Sequence, residues 1–118
     1  MDEIDGGVGM LTKEMMEELV NGLCSILSGQ IKQIILYGSV ARNNAIPESD
    51  IDIAIILDGN ISDDRREQFL SFCAELDLKY DRVFSVIDIN QSLIEKWCGI
   101  VPFYKNIHEE GIVLWKAA

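Results

Sequence analysis

Histidine is almost missing from this chain: His108 is the only one, and the three cysteines, Cys24, Cys73 and Cys98, form no Cys-x-x-Cys pair. Structural zinc sites draw four ligands from closely spaced Cys and His residues, so zinc is not what organises the fold. Three widely spaced cysteines set among apolar residues also argue against a disulfide framework and read as free, buried thiols in a reducing compartment. Cations are scarce too, with 10 Lys and Arg against 20 Asp and Glu and a formal net charge of −10. A grip on a nucleic-acid backbone needs clustered cations, so direct binding of double-stranded DNA is not expected. The imbalance suits a protein that meets metal ions or a basic partner. No apolar run approaches the roughly 20 residues of a membrane span. The acidic, Gly-rich start MDEIDGGVGM is unlike the cationic opening of a signal peptide, so a cytoplasmic protein is expected, with no membrane partner.

What is present is a chain of 118 residues, 48% of them apolar. That is the size of one domain, and folding at this length buries roughly 65% of the unfolded chain's surface. Residues 1–10 read as a flexible lead-in without periodicity, and residues 11–118 as a single domain. From Leu11 the apolar residues Leu11, Met15, Leu19 and Leu23 step by four, with Thr12 as N-cap and Gly29 as C-terminal stop: a helix. Strands are predicted at Ile31 to Tyr37, Asp50 to Leu57, Arg82 to Ile89 and Ile112 to Trp115, the last at a sheet edge. A second helix begins after Ser62, with Phe69, Phe72, Cys73, Leu76 and Tyr80 as its core face. Two short helices follow, capped by Asn90 and opened by Pro102. The order α-β-β-α-β-α-α-β predicts a mixed α/β (α+β) domain, a small mixed sheet backed by helices.

One stretch carries chemistry. Gly38-Ser39 follows a predicted strand, and ten residues later Asp50-Ile51-Asp52 opens the next. Four fixed residues at fixed spacing arise by chance in about one chain in a thousand of this length. Side chains alternate along a strand, so Asp50 and Asp52 share one face, about 6.6 Å apart at Cα, while Ile51, Ile53, Ile55 and Leu57 take the other. Two carboxylates on an otherwise apolar strand call for a positive partner, and Mg²⁺ held by one or two carboxylates together with water and substrate phosphates is a common solution. Gly38 lets the backbone turn tightly against a phosphate. Ser39 adds a hydroxyl and an amide where a helix begins through Val40 and Ala41, and Arg42 can clamp a phosphate oxygen. Taken singly, the same residues also read as an ordinary turn and a solvated strand start.

The segment ILYGSVARNNAIPESDIDIAIIL resembles the signature of the DNA polymerase β-like nucleotidyltransferase superfamily in its minimal nucleotidyltransferase form. The resemblance runs along most of the chain, with a softer match at Ile107 to Leu114. It implies the palm-like fold of that family, with Gly38 and Ser39 holding the phosphates of an NTP, ATP foremost, and Asp50 and Asp52 binding two Mg²⁺ ions as the catalytic carboxylates. The implied reaction transfers a nucleoside monophosphate to a hydroxyl and releases pyrophosphate. Family members this short take their acceptor from outside, often a separate helical HEPN-type protein to which they are antitoxin; a homodimer is also compatible.

Two departures mark this chain. Asn43 stands where the family has Gly, which Asn tolerates through its access to left-handed backbone. The third carboxylate that the family supplies from the following strand is replaced: in Phe84-Ser85-Val86-Ile87-Asp88 the matching position is Ser85, and Asp88 belongs to the other face of a regular strand. The site then holds two metal ions or only one. Three readings follow: a slow transferase, a site completed by a partner, and a nucleotide-binding or regulatory module without turnover.

Elsewhere, His108 reads as a surface residue of a short helix. Trp97, Phe103, Tyr104 and Trp115 read as C-terminal packing, and Asp63-Asp64-Arg65-Arg66-Glu67 as a solvated helix start. Lys79 and Arg82 are further candidates to reach a phosphate.

Overall fold

A computed structural model describes residues 11–41, 50–97 and 99–117, with the side chain of Ser39 outside the description. The lead-in 1–10, Arg42, Asn43 and Cys98 lie outside the described residues. The elements run α1 (Lys13–Ile26), β1 (Ile31–Tyr37), α2 (Gly38–Ala41), β2 (Ile51–Leu57), α3 (Asp63–Tyr80), β3 (Phe84–Asn90), α4 (Gln91–Trp97), α5 (Pro102–Glu110) and β4 (Ile112–Lys116). The mixed α/β class and the expected order hold, with α2 as a separate short helix.

Thr12 caps α1, its hydroxyl accepting from the Met15 amide at 3.2 Å. The four-residue step continues into Leu27, so Leu11, Met15, Leu19, Leu23 and Leu27 are all buried. The helix stops earlier than Gly29 suggests. Leu27 is the cap, its amide donating to Leu23 O, and Gly29 takes the left-handed turn at φ 81° that leads into β1. Ser62 caps α3 by accepting from the Arg65 amide, and Asp81 closes it with left-handed backbone at φ 54°. Asp77 then accepts from the Phe84 amide at 2.7 Å and fixes the entry to β3.

The sheet order is β3-β2-β1-β4. β1 lies antiparallel to β2 and β4, while β2 and β3 are parallel. A parallel neighbour needs a crossover, and α3 is that crossover. One face of the sheet packs Ile34, Leu36, Ile51, Ile53, Ile55, Leu57 and Phe84 against α1 and α3 in the main core. The other face carries a smaller cluster, Ile35, Ala54, Ile56, Ile89 and Ile107, under the shorter α4 and α5. In α3 only Phe69, Cys73 and Leu76 are fully buried; Phe72 and Tyr80 are half-buried at the margin. Cys24 and Cys73 are free thiols, and burial, helped by the charge of Asp77, pushes Cys73 up to about 12.

The charged start of α3 is more than a solvated surface. Arg65 Nη1 donates to Gln30 Oε1 at 2.9 Å, and Arg66 meets both oxygens of Asp88 at 2.6 and 3.1 Å. Trp115 packs on the main core, away from Phe103 and Tyr104, so the C-terminal aromatics are not one cluster. Among the described residues, no helix is long and apolar enough to cross a membrane.

Leu19 sits at the centre of the α1 stripe with no exposed surface. Leu19→Ala is expected to cost about 2–5 kcal/mol, through lost transfer energy and the cavity left behind, read as a lower urea midpoint at unchanged slope.

Candidate nucleotide site

The site begins where β1 ends. Tyr37 is its last residue, and Gly38 turns the chain directly into α2 with φ 78°, a conformation L side chains rarely adopt. Val40, fully buried in the main core, anchors α2 from below. A Cβ built on Gly38 would run into the carboxylate of Asp52, its nearest atom being Asp52 Oδ2. Glycine is required for its backbone angle, and any other residue would also make the Asp52 carboxylate shift. The turn and the carboxylate, separate in the sequence, form one cradle.

β2 delivers Asp52 through its two-residue alternation. Ile51, Ile53, Ile55 and Leu57 fill the main core, so Asp52 points to the opposite face, half-buried, and Asp50 lies exposed just before the strand. In the antiparallel register Asp52 pairs with Tyr37 on one side, and in the parallel register with Ser85 on the other. Ser85 thus occupies the strand position beside Asp52. Asp88 pairs in register with Ile55, a main-core residue of β2, and its carboxylate is held by Arg66 of α3. Among the described residues, no group of three or more His, Cys, Asp and Glu side chains could hold a metal ion. Asp52 of β2 and Asp50 just before it are carboxylates of the kind that bind a cation whose remaining ligands are water and substrate phosphates. With no side chain on Gly38 the Asp52 carboxylate keeps its place against the turn, and carboxylate oxygens are the donor type that a hard divalent ion takes.

Tyr37 was absent from the sequence reading of the site. Its half-buried phenol is held above the ordinary tyrosine range, chiefly by burial and then by the negative charge of Asp52. The ring meets Phe103 of α5 edge to face, centroids 5.8 Å apart, and Phe103 meets Tyr104 at 5.6 Å. The signal available was parity: Tyr37 shares its strand face with Ile35, opposite to Leu36, so its contact with the Asp52 face follows from the same alternation.

Lys79 and His108 are placed elsewhere, whereas Arg82 stands two residues before β3. Lys79 Nζ binds Glu18 Oε1 at 2.9 Å and ties α3 to α1, on the far face of the sheet. Arg82 is half-buried, and burial lowers its pKa. His108 is exposed on α5. It lines a cavity of about 350 Å³ with Ile35, Ile56, Ile94 and Ile107, which includes none of the proposed site residues.

With that geometry in place, similarity to known proteins becomes specific. The family model "Polymerase beta, Nucleotidyltransferase" matches residues 21–117. The chain belongs to the polymerase β nucleotidyltransferase family, and it is a nucleotidyltransferase domain. It is 38% identical over 106 residues to a Methanocaldococcus jannaschii protein named as a protein adenylyltransferase, covering 90% of this chain and 100% of that one. It is also 36% identical over 83 residues to the spectinomycin 9-adenylyltransferase of Campylobacter jejuni, covering 67% of this chain and 32% of that protein. The fold resembles a crystal structure of a toxin-antitoxin with AMP-PNP, with TM-score 0.58 and 17% identity, over 86% of this chain and 73% of that one. It also resembles a chain in the tri-AMPylated Shewanella oneidensis HEPN toxin in complex with MNT antitoxin, with TM-score 0.54 and 17% identity, over 89% of this chain and 72% of that one. The family generally uses a divalent metal.

The pairing of Tyr37 with Asp52 is directly measurable. Asp52→Asn removes the charge that disfavours tyrosinate, so Tyr37 should titrate at lower pH than in the unaltered chain while staying above the ordinary value because of burial. Ultraviolet absorbance titration, with Tyr37→Phe to assign the signal, reads the change; an unmoved titration would show that Asp52 does not act on this phenol.

Proposed function

We propose that this domain transfers adenylate from ATP to a hydroxyl group on a separate protein, with Asp50 and Asp52 holding Mg²⁺ and the turn at Gly38 and Ser39, helped by Arg42, receiving the phosphates. The observation that carries the reading is the meeting of Gly38 with the Asp52 carboxylate at the shared end of β1 and β2. It is supported by the full-length match to a relative named as a protein adenylyltransferase. The fold neighbours, a toxin-antitoxin with AMP-PNP and an AMPylated HEPN toxin in complex with an MNT antitoxin, support a nucleotide ligand and a helical protein acceptor. In the transfer, the acceptor oxygen bonds to the α-phosphorus as the bond from that phosphorus to the pyrophosphate oxygen breaks, and the hydroxyl proton leaves to water. A divalent ion on the two carboxylates supplies charge neutralisation for the phosphates. Gly38 keeps side-chain bulk out of the space beside Asp52, and the buried Val40 holds the turn in place. Tyr37 and Phe103 wall the site on the β1 side.

Ser85 favours a second reading. A serine hydroxyl beside Asp52 is neither a metal-binding carboxylate nor a base at neutral pH, so the same site can bind nucleotide with little turnover, as a regulatory module. Two experiments separate the readings.

Calorimetry with ATP and Mg²⁺ should show binding by the unaltered chain, lost in the double variant Asp50→Ala, Asp52→Ala. Binding that survives the double variant, or no binding by the unaltered chain at millimolar ligand, would sink the assignment of these acids. Radiolabelled ATP with a HEPN-type acceptor measures transfer, and Ser85→Asp should raise its rate by about 10²-fold or more if the missing carboxylate limits the chemistry. Fast transfer by the unaltered chain, unchanged by Ser85→Asp, would remove the regulatory reading.

A further inference from the structure

α3 carries apolar residues on two flanks, and only one of them faces the core. Phe69, Cys73 and Leu76 are buried, while Leu70, Ala74 and Leu78, again four residues apart, lie exposed. Leu78 is 86% exposed and Leu70 49%. A leucine that far out of a helix lowers solubility without adding to the core, unless something covers it.

The charges of α3 say what kind of partner fits. Its three cations each have a partner on a neighbouring segment: Arg65 on Gln30, Arg66 on Asp88, and Lys79 on Glu18. The outer flank is left with Asp63, Asp64, Glu67 and Glu75, all exposed. Glu67 and Glu75, each three residues before a leucine of the stripe, also line a shallow groove of about 510 Å³ between α1 and α3, with Asp64, Phe72 and Ile26 in the same lining. A lysine or arginine suits that groove, its aliphatic stem against Phe72 and Ile26 and its head among the acids. A second copy of this chain fits poorly, because a self-complementary contact would bring the acidic flanks of two helices together.

We infer that the outer face of α3 is a docking surface for a basic amphipathic helix of a partner protein, its apolar residues on Leu70 and Leu78 and its cations in the Asp64–Glu67–Glu75 groove. The surface lies on the side of the sheet opposite Asp52, because α3 packs on the Ile51–Leu57 face. Docking there leaves the nucleotide site open. The inference does not depend on transfer activity, and its readout is independent of it.

The test uses the full chain and a labelled synthetic helical peptide with one leucine stripe flanked by lysines, followed by fluorescence anisotropy. A scrambled peptide of equal composition and a version with glutamate in place of lysine are the controls. The leucine–lysine peptide should bind at least about tenfold more tightly than either control, weakening with salt. Leu70→Ser with Leu78→Ser should weaken it by about tenfold or more. Glu67→Lys with Glu75→Lys, which leaves the leucines in place, should do the same. Both variants should keep the melting curve and the ATP binding of the unaltered chain. Equal binding of the scrambled peptide, or undiminished binding by both variants, would overturn the inference. So would a dimer in sedimentation that the leucine substitutions abolish, since a second copy would then be the occupant.

Discussion

The alternation of β2 is the constraint from which the rest follows. Ile51, Ile53, Ile55 and Leu57 must all face α1 and α3 to complete the main core, and a slip of one residue would place every one of them on the wrong side. With that set fixed, Asp52 has only the thinner face available, under α4 and α5. The neighbouring strands then decide its company: Tyr37 from the antiparallel side and Ser85 from the parallel side. The hydrophobic burial that stabilises the fold is thus the same force that aims the carboxylate.

The electrostatics divide along the sheet in the same way. On the α1 and α3 side of the sheet, two exposed ion pairs, Arg66 on Asp88 and Lys79 on Glu18, join α3 to β3 and to α1. On the other side, burial and then the negative charge of Asp52 hold the Tyr37 phenol in its neutral form to higher pH. In a chain of net charge −10, Arg65, Arg66 and Lys79 of α3 thus join neighbouring segments, while Asp63, Asp64, Glu67 and Glu75 of the same helix stay exposed.

Most of the fold was legible because its signals are local. The four-residue step from Leu11, the caps at Thr12 and Ser62, and Pro102 at the start of α5 each act within one turn of helix. The cradle was half legible: the Gly38 turn and the Asp52 strand each carry a pattern, but the closeness of one to the other is set by register. Tyr37 and Phe103 were invisible as a pair because α5 reaches β1 only through the packed sheet. The charged start of α3 is solvated as expected, but the partners of Arg65 and Arg66 lay out of reach for the same reason, since a charge run in sequence does not say what folds beside it. The placement of Ser85 was readable from strand parity.

The parallel pairing of β2 with β3 has a consequence for how this site can change over time. Gly38 and Asp52 come together through adjacent antiparallel strands, a contact of short chain separation, whereas Ser85 joins only after the whole of α3 has crossed the sheet. β3 is also an edge strand, with only Phe84 and Ile89 buried. The position beside Asp52 is therefore among the least constrained by folding, and a single substitution there is free to drift. An exchange at Ser85 therefore leaves in place the contact between the Gly38 turn and Asp52, which β1 and β2 hold without β3.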